Sequence, residues 1–155
     1  METKQQDVMA LLKLYELRRE ELMRQARAWF VSEFNPQSAK EMVKLILSGQ
    51  KQSAYYRMVA SYWDNAASFV NNGGIDEKMF LEANSEHVAV FAKLQTLLPQ
   101  VREMIGEPNY LMNLERLVMR VPDVEKKLEN QRKLMKRWAR TSEAAAAQTN
   151  EVVEA

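Results

Sequence analysis

The chain has 155 residues, 46% of them hydrophobic, with 22 basic and 21 acidic side chains and a net charge of +1. That length and apolar content make one domain with one core, and the near-balance of charge excludes global electrostatic steering toward nucleic acid or membrane. The absence of cysteine excludes disulfides, thiolate nucleophiles, zinc-thiolate sites and iron-sulfur clusters.

The amino terminus is polar, and no apolar run approaches the ~18 residues that a span requires. The expectation is a soluble cytoplasmic protein without a transmembrane segment. The first predicted helix runs from about Gln5 to Phe34, because Val8, Leu11, Leu12, Tyr15, Leu22, Ala26, Trp29 and Phe30 recur at steps of three and four. Lys13, Arg18, Glu20, Glu21, Arg24 and Arg27 lie opposite. A Ser-x-x-Glu capping box at Ser38 and Glu41 opens a short second helix, and Gly49 suits its left-handed stop.

The third predicted helix, about Gln52 to Val70, is apolar over most of its circumference and therefore belongs in the centre. Asn71-Asn72-Gly73-Gly74 ends it, and Asp76 caps the fourth, from Glu77 to Ile105, with a kink expected near Gln95 to Pro99. Pro108 and Asn109 introduce a fifth helix through Val121. Pro122-Asp123 introduce a sixth, whose stripe is Val124, Leu128, Gln131, Met135 and Trp138. These elements predict an all-α fold: an antiparallel bundle of five or six helices, long at both ends, in a domain over 1–140. Residues 141–155 lack the apolar bulk to dock and are expected to fray.

His87 is the only histidine, and the residue three before it is Asn84, so the paired Glu-x-x-His ligands of a di-iron bundle are missing. The four glycines form neither a nucleophile elbow nor a phosphate loop. No cofactor or metal is expected. A buried polar or ligand site, if built at all, would draw on Asp64, Glu82, Glu86 and His87. Beside that stands the plainer reading, in which His87 is a core or groove-edge imidazole hydrogen-bonded to a neighbour and Asp64 is held by an internal ion pair or cap-like hydrogen bond with an arginine such as Arg102 or Arg116.

The sixth helix carries the strongest surface signal. Lys126, Lys127, Arg132, Lys133, Lys136, Arg137 and Arg140, with Trp138, form a basic amphipathic pattern suited to phosphates or an anionic surface. The same residues also suit a solvated face or a protein contact.

The stretch from about Tyr55 to Val118 resembles a bacterial helical family known as domain of unknown function, family 4760. The resemblance lies in Trp63-Asp64, the turn Gly74-Ile75-Asp76-Glu77, Phe80, Phe91, Pro99 with Val101 and Arg102, and Tyr110 with Leu114-Glu115-Arg116-Leu117. It departs from the family pattern at Asp64, Phe91 and Leu114. The resemblance implies an all-helical fold and a bacterial origin and brings no catalytic role. The expected function is a non-enzymatic interaction or regulatory module whose partner is a second copy or another protein, a homodimer being favoured. An anionic-surface binder and a small-ligand or metal-binding bundle around His87 are the alternatives.

Overall fold

In a computed structural model the backbone is described for residues 2–154 and the side chains for 3–149. The described residues form nine α-helices: α1 (Glu2–Arg18), α2 (Glu21–Ser32), α3 (Ala39–Leu47), α4 (Lys51–Asn71), α5 (Glu77–Ala83), α6 (Glu86–Leu94), α7 (Leu98–Ile105), α8 (Met112–Met119) and α9 (Val124–Glu154). The all-α class is as expected. The count exceeds five or six because two predicted long helices are broken.

The first break follows α1. Glu20 leaves helical geometry and its carboxylate accepts the backbone N–H groups of Leu22 and Met23, at 3.2 and 3.0 Å, capping α2. Glutamate is an uncommon N-cap, so the periodic apolar pattern conceals this boundary. The long fourth helix divides twice. Extended backbone at Asn84 separates α5 from α6, and turns after Gln95 separate α6 from α7. Pro99 lies in the first turn of α7, where its missing N–H has no intrahelical acceptor to lose. The expected kink is thus a full break.

Other local signals act as their chemistry requires. Ser38 accepts from the Glu41 N–H at 3.1 Å while Glu41 accepts from the Gln37 N–H, and Asp76 accepts from the Met79 N–H at 2.8 Å. Gly73 adopts φ of 75°, and the Gly73 and Gly74 N–H groups bond back to Val70 and Phe69 to close α4.

Helix α4 is central, as its all-round apolar sequence indicates: Tyr56, Val59, Trp63, Ala66 and Ala67 are fully buried, and it packs on α2, α3, α5, α6 and α8. Helix α9 packs on α2 and α6 through Leu128 and Met135, which are buried, as one face of a heptad-like seam. Beyond that contact α9 remains helical to Glu154, where the sequence reading expects fraying from 141 onward; Ala155 lies outside the described residues. Four consecutive alanines and few β-branched residues favour helix without any docking, and the side chains of 141–149 are exposed throughout.

Because Leu128 is fully buried and Leu134 is 36% exposed on the same helix, truncation should separate them. Leu128→Ala is expected to lower unfolding free energy by roughly 2–5 kcal/mol and Leu134→Ala by less than about 1 kcal/mol, read by chemical denaturation.

Candidate functional site

The polar centre of the molecule lies where α2, α4 and α6 meet. Arg27 of α2 donates from Nη2 to Glu86 Oε2 at 2.5 Å and from Nε to Glu86 Oε1 at 2.8 Å, a two-pronged ion pair with side chains 25% and 19% exposed. Glu86 is the first residue of α6, so its carboxylate also faces the positive end of that helix. Trp63 of α4 points its indole N–H at the same carboxylate, at 3.4 Å. The remaining Arg27 donor, Nη1, reaches the Arg18 carbonyl at the end of α1, at 3.2 Å. Tyr62, one residue before Trp63, donates its hydroxyl to the Leu14 carbonyl of α1, and burial pushes that phenol up to about 12. One cluster therefore ties together four helices.

His87 follows Glu86 but turns inward. It is 1% exposed, with its ring 5.8 Å from Trp63 and 5.2 Å from Phe80, centroid to centroid. Among the described residues neither ring nitrogen has a hydrogen-bond partner. Burial pushes the imidazole down to about 4, with the Glu86 carboxylate opposing, so the ring is neutral near pH 7. The plainer reading of His87, a core imidazole, describes its burial; the hydrogen-bonded neighbour is missing.

The other proposed members of the site lie elsewhere. Glu82 is exposed on α5 and sits 3.9 Å from Lys78, one helical turn away. Asp64 accepts from the Leu114 backbone N–H at 2.9 Å and from Asn113 Nδ2 at 3.2 Å, at the start of α8. Leu111, at the N-cap of α8, has left-handed backbone with φ of 54° and contributes no side-chain cap. Asp64 is thus a cap supplied from another helix. The arginine partner expected for it is not the one it has, because Arg102 pairs instead with Glu115 at 2.5 Å and with the Tyr110 carbonyl at 2.9 Å. Arg116 is exposed.

Two structural cations were not singled out from the sequence. Arg27 reads as one more charge on the polar face of a long helix. Lys93 reads the same way on α6, yet its ammonium donates to the carbonyls of Phe30, Val31 and Phe34 at 2.6, 2.9 and 2.7 Å, closing the carboxyl end of α2. Burial lowers its pKa to about 8.

Among the described residues no three His, Asp or Glu side chains converge as metal ligands would. A cleft of about 340 Å³ opens instead at the α2–α3 junction, lined by Trp29, Phe34, Pro36, Glu33, Glu41 and Lys44 among others, and His87 takes no part in it. On α9, Lys126, Lys127, Lys133, Lys136, Arg137 and Arg140 are exposed and Trp138 is 49% exposed. Arg132 departs from that set. It turns inward, donating to the Ala92 carbonyl at 3.0 Å and to Gln95 Oε1 at 2.5 Å at the end of α6.

These features define an all-helical protein whose inward-facing polar residues cap and cross-link helices. The chain matches the family model for a domain of unknown function, DUF4760, over residues 4–121, and it belongs to that family. The match covers the sequence from α1 through α8 and is broader than the stretch from Tyr55 to Val118. No curated protein and no solved structure matches the chain. Among the described residues no helix is long and apolar enough to cross a membrane.

His87 makes stability depend on pH. Its folded-state pKa of about 4 lies below the unfolded value of about 6.5, so the unfolded chain binds the proton first as pH falls. The contribution is whole above pH ~6.5 and lost progressively toward pH ~4, by roughly 3 kcal/mol in all. His87→Leu, which removes two unpartnered nitrogens at similar volume, should flatten this interval of the stability profile without loss at pH 7. Denaturation midpoints measured across that range test the expectation.

Proposed function

We propose that this chain is a non-enzymatic interaction module that pairs through α1 with a second copy of itself. The observation that carries the reading is the unequal fate of two apolar seams. On α9, Leu128 and Met135 are buried within the chain; on α1, Val8, Leu12 and Tyr15 are 43%, 54% and 48% exposed, with Met9 beside them at 65%. Helix α1 is held to the rest by its other side, where Leu14 is buried and Ala10 and Leu11 pack on the core. The outward stripe repeats at i, i+4 and i+7, the spacing by which one helix receives another. A like stripe is its simplest complement, and two-fold pairing covers both at once.

The absence of a catalytic role is supported by how the candidate groups are spent: Asp64 caps α8, Glu86 is neutralised by Arg27, Glu82 faces solvent and His87 is enclosed by aromatic rings. Family membership is compatible with a bacterial origin. A cytoplasmic location belongs to the same reading, since a chain without cysteine loses nothing in a reducing compartment. So does an antiparallel arrangement of successive helices, which their short connections favour.

Sedimentation equilibrium of the full chain tests the proposal. Dimer formation is expected, and Leu12→Glu should give a monomer of unchanged helicity, because Leu12 is not part of the core. A wild-type chain that stays monomeric up to high micromolar concentration, or a dimer indifferent to Leu12→Glu, would overturn it.

A further inference from the structure

The geometry of α9 points to a second surface, independent of α1: we propose that the outward face of α9 adsorbs to anionic phospholipid bilayers, cations on the headgroups and Leu134 with Trp138 at the headgroup–acyl boundary.

The rotational setting of α9 is fixed. Leu128, Arg132 and Met135, at i, i+4 and i+7, all turn inward, the first and last into the core and the second onto the end of α6. Whatever lies opposite must face out. In steps of 100° per residue, Lys126, Lys133, Arg137 and Arg140 fall within about 60° of one another on that opposite side. From Lys126 to Arg140 the rise is roughly 21 Å of helix. The adjoining arc carries Lys127, Leu134 and Trp138, the last two 36% and 49% exposed.

Between Val124 and Glu143 the acids of this helix are segregated from that face. Glu125, Glu129 and Glu143 share one edge, and Glu129 is occupied there by Arg132 at 3.6 Å and Lys133 at 3.8 Å. Over those residues, from Arg140 round to Trp138, the outward surface holds cations, Asn130, Thr141 and two apolar side chains, with no carboxylate. A chain of net charge +1 has concentrated its positive charge locally.

Charge alone would serve any polyanion. The paired apolar side chains select among them. On a phosphate backbone Leu134 and Trp138 would remain in water, whereas at a bilayer surface the same straight face meets headgroup charge and an apolar boundary together, where tryptophan is at its best. Each cation held near an anionic leaflet strengthens adsorption several-fold, and salt weakens it.

The experiment is vesicle co-sedimentation of the full chain at low salt, with phosphatidylcholine alone and with roughly one-third phosphatidylserine. Binding only to the anionic vesicles is expected, with a blue shift in tryptophan emission that Trp138→Phe reduces. Lys133→Glu with Arg137→Glu should lower the partition coefficient at least roughly tenfold. Trp138→Ala should lower it without altering the salt dependence, and Lys40→Glu on α3 should leave it unchanged. All these side chains are exposed, and equal far-ultraviolet dichroism confirms that the variants fold. No binding to the anionic vesicles, binding indifferent to the charge reversals or to Trp138→Ala, or tighter binding to duplex DNA or single-stranded RNA than to vesicles would each overturn the proposal. Because Leu12 lies on α1, a monomeric Leu12→Glu chain that still binds vesicles keeps this result separate from the self-association test.

Discussion

The ion pair between Arg27 and Glu86 is the constraint around which the rest of the molecule is arranged. It joins α2 to α6 across α4, and it carries two further contacts, the Trp63 indole on the carboxylate and the Arg18 carbonyl on the guanidinium. A partly shielded charge pair is stable when most of its remaining donors and acceptors are met, as they are here. The break after α1 makes this possible. If Gln5 to Phe34 formed one straight helix, the Arg18 carbonyl would belong to the helix ladder and could not bend back to receive Arg27. The Glu20 cap closes the exposed start of α2, and Tyr62 pins the end of α1 beside the pair.

The same logic extends outward. Several polar side chains that reach the interior of this protein terminate helices: Asp64 at the start of α8, Lys93 at the end of α2 and Arg132 at the end of α6. The nine helices among the described residues present many orphan N–H and C=O groups, and each left dry would cost on the order of 1–3 kcal/mol. Remote caps meet that cost with residues that would otherwise be read as reactive. His87 departs from this pattern, a buried imidazole with neither nitrogen satisfied among the described residues, set between Trp63 and Phe80. What remains for interaction is the exterior, where α1 shows a wet apolar stripe and α9 a segregated cationic one.

Several of these features were legible in the residues and others were not, for physical reasons. The all-α class, the central place of the helix bearing Tyr56 and Trp63, and the caps at Ser38 and Asp76 follow from periodicity and short-range hydrogen bonding, which a sequence encodes directly. The breaks at Glu20 and Asn84 do not, because neither interrupts the apolar spacing and Glu20 has only a weak N-cap preference. The site was harder still. Asp64 could be recognised as a group needing a partner, but the partner is a backbone N–H on α8 created by the left-handed Leu111, a tertiary fact. Arg132 shares its residue type and neighbourhood with the exposed cations of α9, and only the docking of Leu128 and Met135 turns it inward.

A double-mutant cycle on Arg27 and Glu86 addresses the central claim most directly, namely that the polar interior exists to hold helices together. Arg27→Met and Glu86→Gln should each destabilise the chain by about 2–3 kcal/mol, below the ~3–5 kcal/mol of a fully buried pair because part of each side chain still meets water. The double variant should cost clearly less than their sum, since neither charge is then left alone. Single variants as stable as the parent, or costs that simply add, would contradict the account and return the Arg27, Glu86 and His87 cluster to the status of an unassigned functional site.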